Sequence, residues 1–300
     1  MRRRPSVNAD VANAMLHRTM ATNERHLVGL VTTLCCLAAP LLAQGGEAKD
    51  KVPEDIADVP SVSRKAGGDE HKHYFLIGHD PERKAPRDGY KLVLIMPGGD
   101  GGAAFEAFCR RIWKHALGDS YVAAQLVAKK WTDGQVVVWP TDGSRVDAME
   151  FTTEQFLAAV IEDVETQLDV DRAHIFTLSW SSSGPAAYAA ALAEKSRITG
   201  SFVAMSVFKP AELPPLKRAK GHAFFLLHSQ DDDVCPMRMA REAEVELTQA
   251  RAEVEFLEYD GGHGWHGNVW ADMRKGFAWL EQKHGKARAA PKPKQQRGDR

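Results

Sequence analysis

Seven short apolar runs separated by helix-like segments constrain this chain more than any other feature. The runs are "HYFLIG" (73–78), "KLVLIMP" (91–97), "QVVVWP" (135–140), "AHIFTLS" (173–179), "SFVAMSV" (201–207), "AFFLLHS" (223–229) and "VEFLEY" (254–259). Each is too short for a helix and apolar without alternation, as expected of strands buried on both faces. Between most of them lie amphipathic stretches. Phe156, Leu157, Val160, Ile161, Val164 and Leu168 fall on one helical face, and Thr152 with Gln155 forms a capping-box pattern. Val269, Trp270, Met273, Phe277 and Leu280 mark a last helix. Strand and helix in alternation predict an α/β fold, a mainly parallel central sheet covered by helices on both faces, in one domain spanning 71–282. No internal repeat or Gly-rich phosphate loop interrupts the pattern.

The ends of the chain read differently. Arg25 and His26 precede an uncharged apolar run over 27–43, followed by "QGGEAKD". That order matches a secretory signal over 1–43, with Met20 an alternative start and an uncleaved anchor helix the competing reading. Residues 44–70 read as a linker. The segment 283–300 is basic, contains prolines and has almost no large apolar residues, so it is expected to be disordered. Outside the signal, Cys109 and Cys235 are the only cysteines, either one disulfide or two small buried residues. Over 44–282 there are 27 Lys and Arg against 37 Asp and Glu. A body carrying ten excess negative charges is poorly suited to nucleic acid.

In a parallel sheet the carboxyl ends of the strands gather the chemistry. Four loops stand out there. "PGGDGG" (97–102) offers backbone amides that can approach a ligand closely. "SWSSSG" (179–184) places serines on a strand-to-helix junction. A nucleophile on such a turn needs small residues two before and two after it. Ser181 has Ser179 and Ser183 at those positions, whereas Ser182 would put Trp180 at the first; sterics favour Ser181. "QDDDVCP" (230–236) supplies acids, and "DGGHGWHGN" (260–268) supplies His263 and His266. Taken alone, these loops also fit a helix cap, a solvated or cation-binding turn, and a metal site with Asp260. Serine, acid and histidine nevertheless follow one another after separate strands, the chain order of one family of Ser-His-acid hydrolases.

The chain over about 73–280 resembles α/β-hydrolase-fold serine esterases. The resemblance is to the compact secreted group of carboxylesterase/phospholipase-like, feruloyl-esterase-like and polyhydroxybutyrate-depolymerase-like proteins. "LVLIMPGGDGG", "HIFTLSWSSSGPAAYAAAL", "FFLLHSQDDDVCP" and "YDGGHGWHGN" carry it. It implies Ser181 as nucleophile, His263 as base and Asp232 as acid, the last because His228, Asp232 and Pro236 match the family's spacing. It implies backbone amides of Gly99 and Ser182 as the oxyanion hole, with no metal and no cofactor. Pro97 stands where relatives carry histidine, and serines stand at both elbow glycine positions. Trp180 and Trp265 flank the nucleophile and base, as substrate-stacking rings or as core. The short segment "FKPAELPPLKRAKGH" leaves no room for a large lid, so small-molecule or polysaccharide-linked esters are the expected substrates of an exported enzyme. A related serine peptidase and a catalytically inactive binding protein of the same fold are the alternatives.

Overall fold

A computed structural model describes residues 52–285. The expected signal segment over 1–43 lies outside the described residues, as does all but the start of the expected tail.

Eight strands form one sheet: β1 (Ser61–Lys65), β2 (His73–Ile77), β3 (Tyr90–Met96), β4 (Tyr121–Leu126), β5 (Val170–Trp180), β6 (Gly200–Ala204), β7 (Ala223–Ser229) and β8 (Glu253–Tyr259). Their order is β1-β2-β4-β3-β5-β6-β7-β8. β1 and β2 run antiparallel to their neighbours, and every pairing from β4 through β8 is parallel. The parallel strands therefore end on one edge, as the expected doubly covered sheet requires.

Among the described residues five α-helices cover the faces: α1 (Glu106–Ile112), α2 (Thr153–Glu165), α3 (Gly184–Leu192), α4 (Met237–Gln249) and α5 (Val269–Gly285). Side chains alternate along each strand. Leu92, Leu94 and Met96 of β3 join α2, α3 and α4 in one core layer. Val93 and Ile95 join Phe176, Leu178 and Phe202 under α1 and α5 in the other. The box at the start of α2 forms in both directions: the Gln155 amide donates to Thr152 Oγ1 at 3.3 Å, and the Thr152 amide donates to Gln155 Oε1 at 2.9 Å. α5 crosses the sheet closely at Gly276, where an added Cβ would lie 2.3 Å from the Phe202 ring.

Three expectations need correction. Residues 135–140 are not a strand: Val136 is 89% exposed, and the segment is loop between the turn at Asp133-Gly134 and Pro140. The strand of that region is β4, wholly buried, whose two alanines mute the apolar signal. Residues 61–65, placed in a linker, are strand β1, and just before it Ile56 and Val59 are buried. β1 is a polar edge strand held by its backbone ladder, so it has no apolar run to betray it. At the other end, α5 continues through Lys283, the first residue of the expected tail, and Lys283 Nζ reaches Glu253 at 2.9 Å. Cys109 and Cys235 are both free and buried. Between β6 and β7 the chain makes only short 3-10 turns, with no lid domain. Among the described residues no helix is long and apolar enough to cross a membrane.

Candidate active site

The turn from β5 into α3 is built around Ser181. Its φ of +56° is one of four positive values at non-glycine residues among the described residues. That conformation costs about 1–3 kcal/mol for an ordinary residue and is retained where surrounding contacts enforce it. Here they do. The Ser181 carbonyl accepts from the Gly184 amide and from Ser206 Oγ, the latter at 2.6 Å. Gly184 is the true close-approach position, because a Cβ there would sit 2.0 Å from Ser206 Oγ.

The serines flanking this turn are fully buried and bonded. Ser179 Oγ donates to the Phe202 carbonyl at 3.4 Å. Ser183 Oγ accepts from the Trp180 amide at 3.0 Å and donates to the Met96 carbonyl at 2.6 Å. Hydroxyls thus occupy the space that glycines would leave, and Ser183 laces the turn to the end of β3. Ser182 faces the other way: its Oγ donates to the Gly99 carbonyl at 2.9 Å.

His263 comes to Ser181 from the loop after β8. Its Nε2 lies 3.0 Å from Ser181 Oγ, and its Nδ1 lies 2.9 and 3.1 Å from the two oxygens of Asp232. Nδ1–H donating to a carboxylate leaves Nε2 as the acceptor for the serine hydroxyl. The loop is anchored by two bonds that the apolar patterns gave no sign of. The Gly262 amide donates to Ser229 Oγ at 3.0 Å, and Tyr259 Oη donates to the Gly262 carbonyl at 2.8 Å. The signal that could have found them is positional: both residues end a strand whose following loop carries chemistry.

Of the three adjacent acids, Asp231 and Asp233 are exposed and only Asp232 turns inward, with its carboxylate fully buried. The amides of Val234 and Cys235 donate to Oδ1 at 3.0 and 2.7 Å. Buried carboxylates require such donors. His228 lies beneath, 3.4 Å from Asp232 Oδ2, and donates Nε2–H to the Cys235 carbonyl at 2.7 Å. Burial holds the His228 imidazole below its ordinary pKa, against the opposing pull of that carbonyl and of Asp232.

Asp232, Cys235 and His263 also bring three donor atoms within 4.8 Å of one another. The set is of the kind zinc accepts. Burial and, next, the Asp232 charge push the Cys235 thiol up to about 11, so it keeps its proton, while Asp232 is already engaged by two amides and the imidazole. The hydrogen-bonded arrangement suits these groups better than a metal. His266 lies apart, exposed and stacked on Tyr259.

The amides of Gly99 and Ser182 meet no protein acceptor among the described residues, which leaves both donors open to a ligand. The two tryptophans are less available. Trp180 is 5% exposed and packs edge-on against Phe105, Phe108 and Trp265. Its place is the wall beneath the glycine-rich turn, not a stacking surface; an added Cβ on Gly98 would lie 2.6 Å from its ring. Trp265 is half-buried in the same cluster.

No protein-family model and no curated protein sequence matches the chain. Solved structures do. MGS-M1, an α/β-hydrolase enzyme from a Medee basin deep-sea metagenome library, is 16% identical with a TM-score of 0.57, covering 76% of this chain and 98% of that one. Esterase 2 of the planctomycete Thermogutta terrifontis, with propionate bound, is 15% identical with a TM-score of 0.53, covering 80% and 98%. A mutant of the esterase rPPE is 14% identical with a TM-score of 0.57, covering 78% and 85%. At such identities these likenesses speak to the fold, and the fold is that of the α/β hydrolases.

Proposed function

We propose that this α/β-hydrolase-fold chain is an exported serine hydrolase that cleaves carboxylic esters through an acyl-enzyme intermediate. The row Ser181–His263–Asp232, contiguous through hydrogen bonds of 3.0 and 2.9 Å, carries the reading. His263 takes the hydroxyl proton as Ser181 Oγ attacks the ester carbonyl, and Asp232 stabilises the imidazolium that forms. The amides of Gly99 and Ser182 receive the charge developing on the carbonyl oxygen, each contributing about 3 kcal/mol in the transition state. His263 then returns the proton to the departing alcohol. In the second half it activates water, which releases the acid and regenerates Ser181. Each proton moves through Nε2, and no cofactor enters the cycle.

Esters are favoured over amides by the company the fold keeps, since the similar structures carry esterase names. An inactive protein of this fold would need the serines at the elbow positions to push the turn out of catalytic geometry; both hydroxyls are buried and bonded beside the positive φ at Ser181, which supports the active reading. Export rests on the apolar run over 27–43 and its basic flank.

The test is hydrolysis of short-chain 4-nitrophenyl esters beside proline-containing dipeptide amides, by wild type and Ser181→Ala. Ester turnover lost in the variant supports the reading. Amide cleavage without ester cleavage favours the peptidase. Mass spectrometry of the secreted chain, beginning near residue 44, tests export.

A further inference from the structure

A cavity of about 190 Å3 opens beside the glycine-rich turn after β3, between that turn and the segment after β4. Asp100, Ala128, Lys129, Lys130, Gln135 and Val138 line it. Its place is fixed relative to the candidate active site. Asp100 directly follows Gly99, whose carbonyl holds Ser182. The Ala128 amide donates to the Gly101 carbonyl at 2.9 Å, and Trp139 Nε1 donates to the Pro97 carbonyl at 2.9 Å. β3 and β4 are parallel neighbours, so their following loops stand side by side at the reactive edge.

The far wall is set before any ligand arrives. Gln135 Oε1 accepts from the Trp131 amide at 2.8 Å, and its Nε2 donates to the Val137 carbonyl at 2.6 Å. Trp131 is wedged edge-on against Phe151. Ala128 and Val138 give the cavity an apolar lining, and Lys129 and Lys130 line it as well. Neither lysine is matched with a carboxylate among the described residues; Lys129 Nζ stands 5.7 Å over the Trp131 ring. Asp100, the one acid in the lining, accepts from the Gly102 amide through Oδ1 at 2.9 Å and keeps its charge. The body of the chain, with 27 basic against 37 acidic residues over 44–282, repels anions overall. With two lysines against one carboxylate in the lining, the cavity carries a net positive charge next to the turn that holds Ser182, and that charge would draw an anion to this spot.

From this cavity we infer a substrate class: esters with one arm of a few apolar atoms ending in a carboxylate, which Lys129 and Lys130 receive. The inference rests on the serine-hydrolase reading above and deepens it.

Two matched pairs test it, with the carboxylate on the acyl or on the alcohol side: mono-4-nitrophenyl glutarate against 4-nitrophenyl pentanoate, and 4-acetoxybutanoate against butyl acetate. In Lys129→Gln/Lys130→Gln, the ratio of kcat/KM for the charged over the neutral ester should fall about tenfold in at least one pair. Lys129→Arg/Lys130→Arg should keep most of that ratio. Unchanged ratios in both pairs overturn the inference while leaving the hydrolase reading intact. Binding is followed separately, by calorimetry of monomethyl glutarate with Ser181→Ala. The two Lys→Gln changes should weaken it about tenfold, and equal affinity counts against the subsite. If wild type cleaves none of the four esters, the hydrolase reading fails, and the calorimetry still decides whether the cavity takes a carboxylate.

Discussion

Ser181 Oγ and His263 Nε2, 82 residues apart in sequence, lie 3.0 Å apart at the carboxyl edge of the sheet. Neither position is set by its own loop alone. Ser181 is held by Ser206 and Gly184 behind it, and His263 by Ser229 and Tyr259 beside it. The meeting of hydroxyl and imidazole is therefore a product of the parallel sheet, which aligns the ends of β5, β6, β7 and β8.

Asp232→Asn should lower kcat for esters by about 10⁴-fold, because a carboxamide neither holds the needed imidazole tautomer nor stabilises imidazolium. The amides of Val234 and Cys235 can still donate to the remaining oxygen, so the thermal midpoint should move little. Steady-state kinetics with a melting curve checks both halves.

Ser183→Ala should destabilise the fold by about 1–3 kcal/mol, since it leaves the Trp180 amide and the Met96 carbonyl buried without their shared hydroxyl. Ser183→Gly, although glycine is the usual residue two after the nucleophile on such a turn, should also destabilise. Urea unfolding measures this, and a glycine variant as stable as wild type would show that the hydroxyl contributes nothing.

His228 gives stability a specific pH dependence. Burial holds its pKa below the ordinary 6.5, so as pH falls through about 6.5 the unfolded chain takes up a proton that the native state resists. Stability contributed by neutral His228 is present above that pH and is lost below it. His228→Gln keeps a donor for the Cys235 carbonyl but does not titrate. Between pH 7.5 and 5.5 wild type should lose more stability than the variant, as followed by denaturant unfolding at each pH.

Much of this was legible in the sequence, and the gaps have physical causes. β3, β5 and β7 are buried on both faces, so their apolar runs were unmistakable. β4 was not, because Ala123 and Ala124 pack closely in a crowded sheet while the more apolar "QVVVWP" stands in a loop. β1 is polar on an edge. At the site, sterics favoured Ser181 and the loops gave the order serine, acid, histidine, while the choice of Asp232 and His263 came from the family resemblance. The supports were less legible: Ser183 was visible only as a small residue at the elbow, Ser229 only by its place at a strand end, and Ser206 acts through a distance to a group remote in sequence. Trp180 stayed open between stacking ring and core, because proximity in sequence to Ser181 says nothing about which face of β5 its ring takes.

The most direct test of the central claim is labelling of wild type, Ser181→Ala and Ser182→Ala by a fluorophosphonate probe, with the modified peptide located by mass spectrometry. Wild type should be labelled at Ser181, Ser182→Ala should still be labelled there, and Ser181→Ala should not react. A folded wild type that takes no label, or label found on Ser182, would contradict the account.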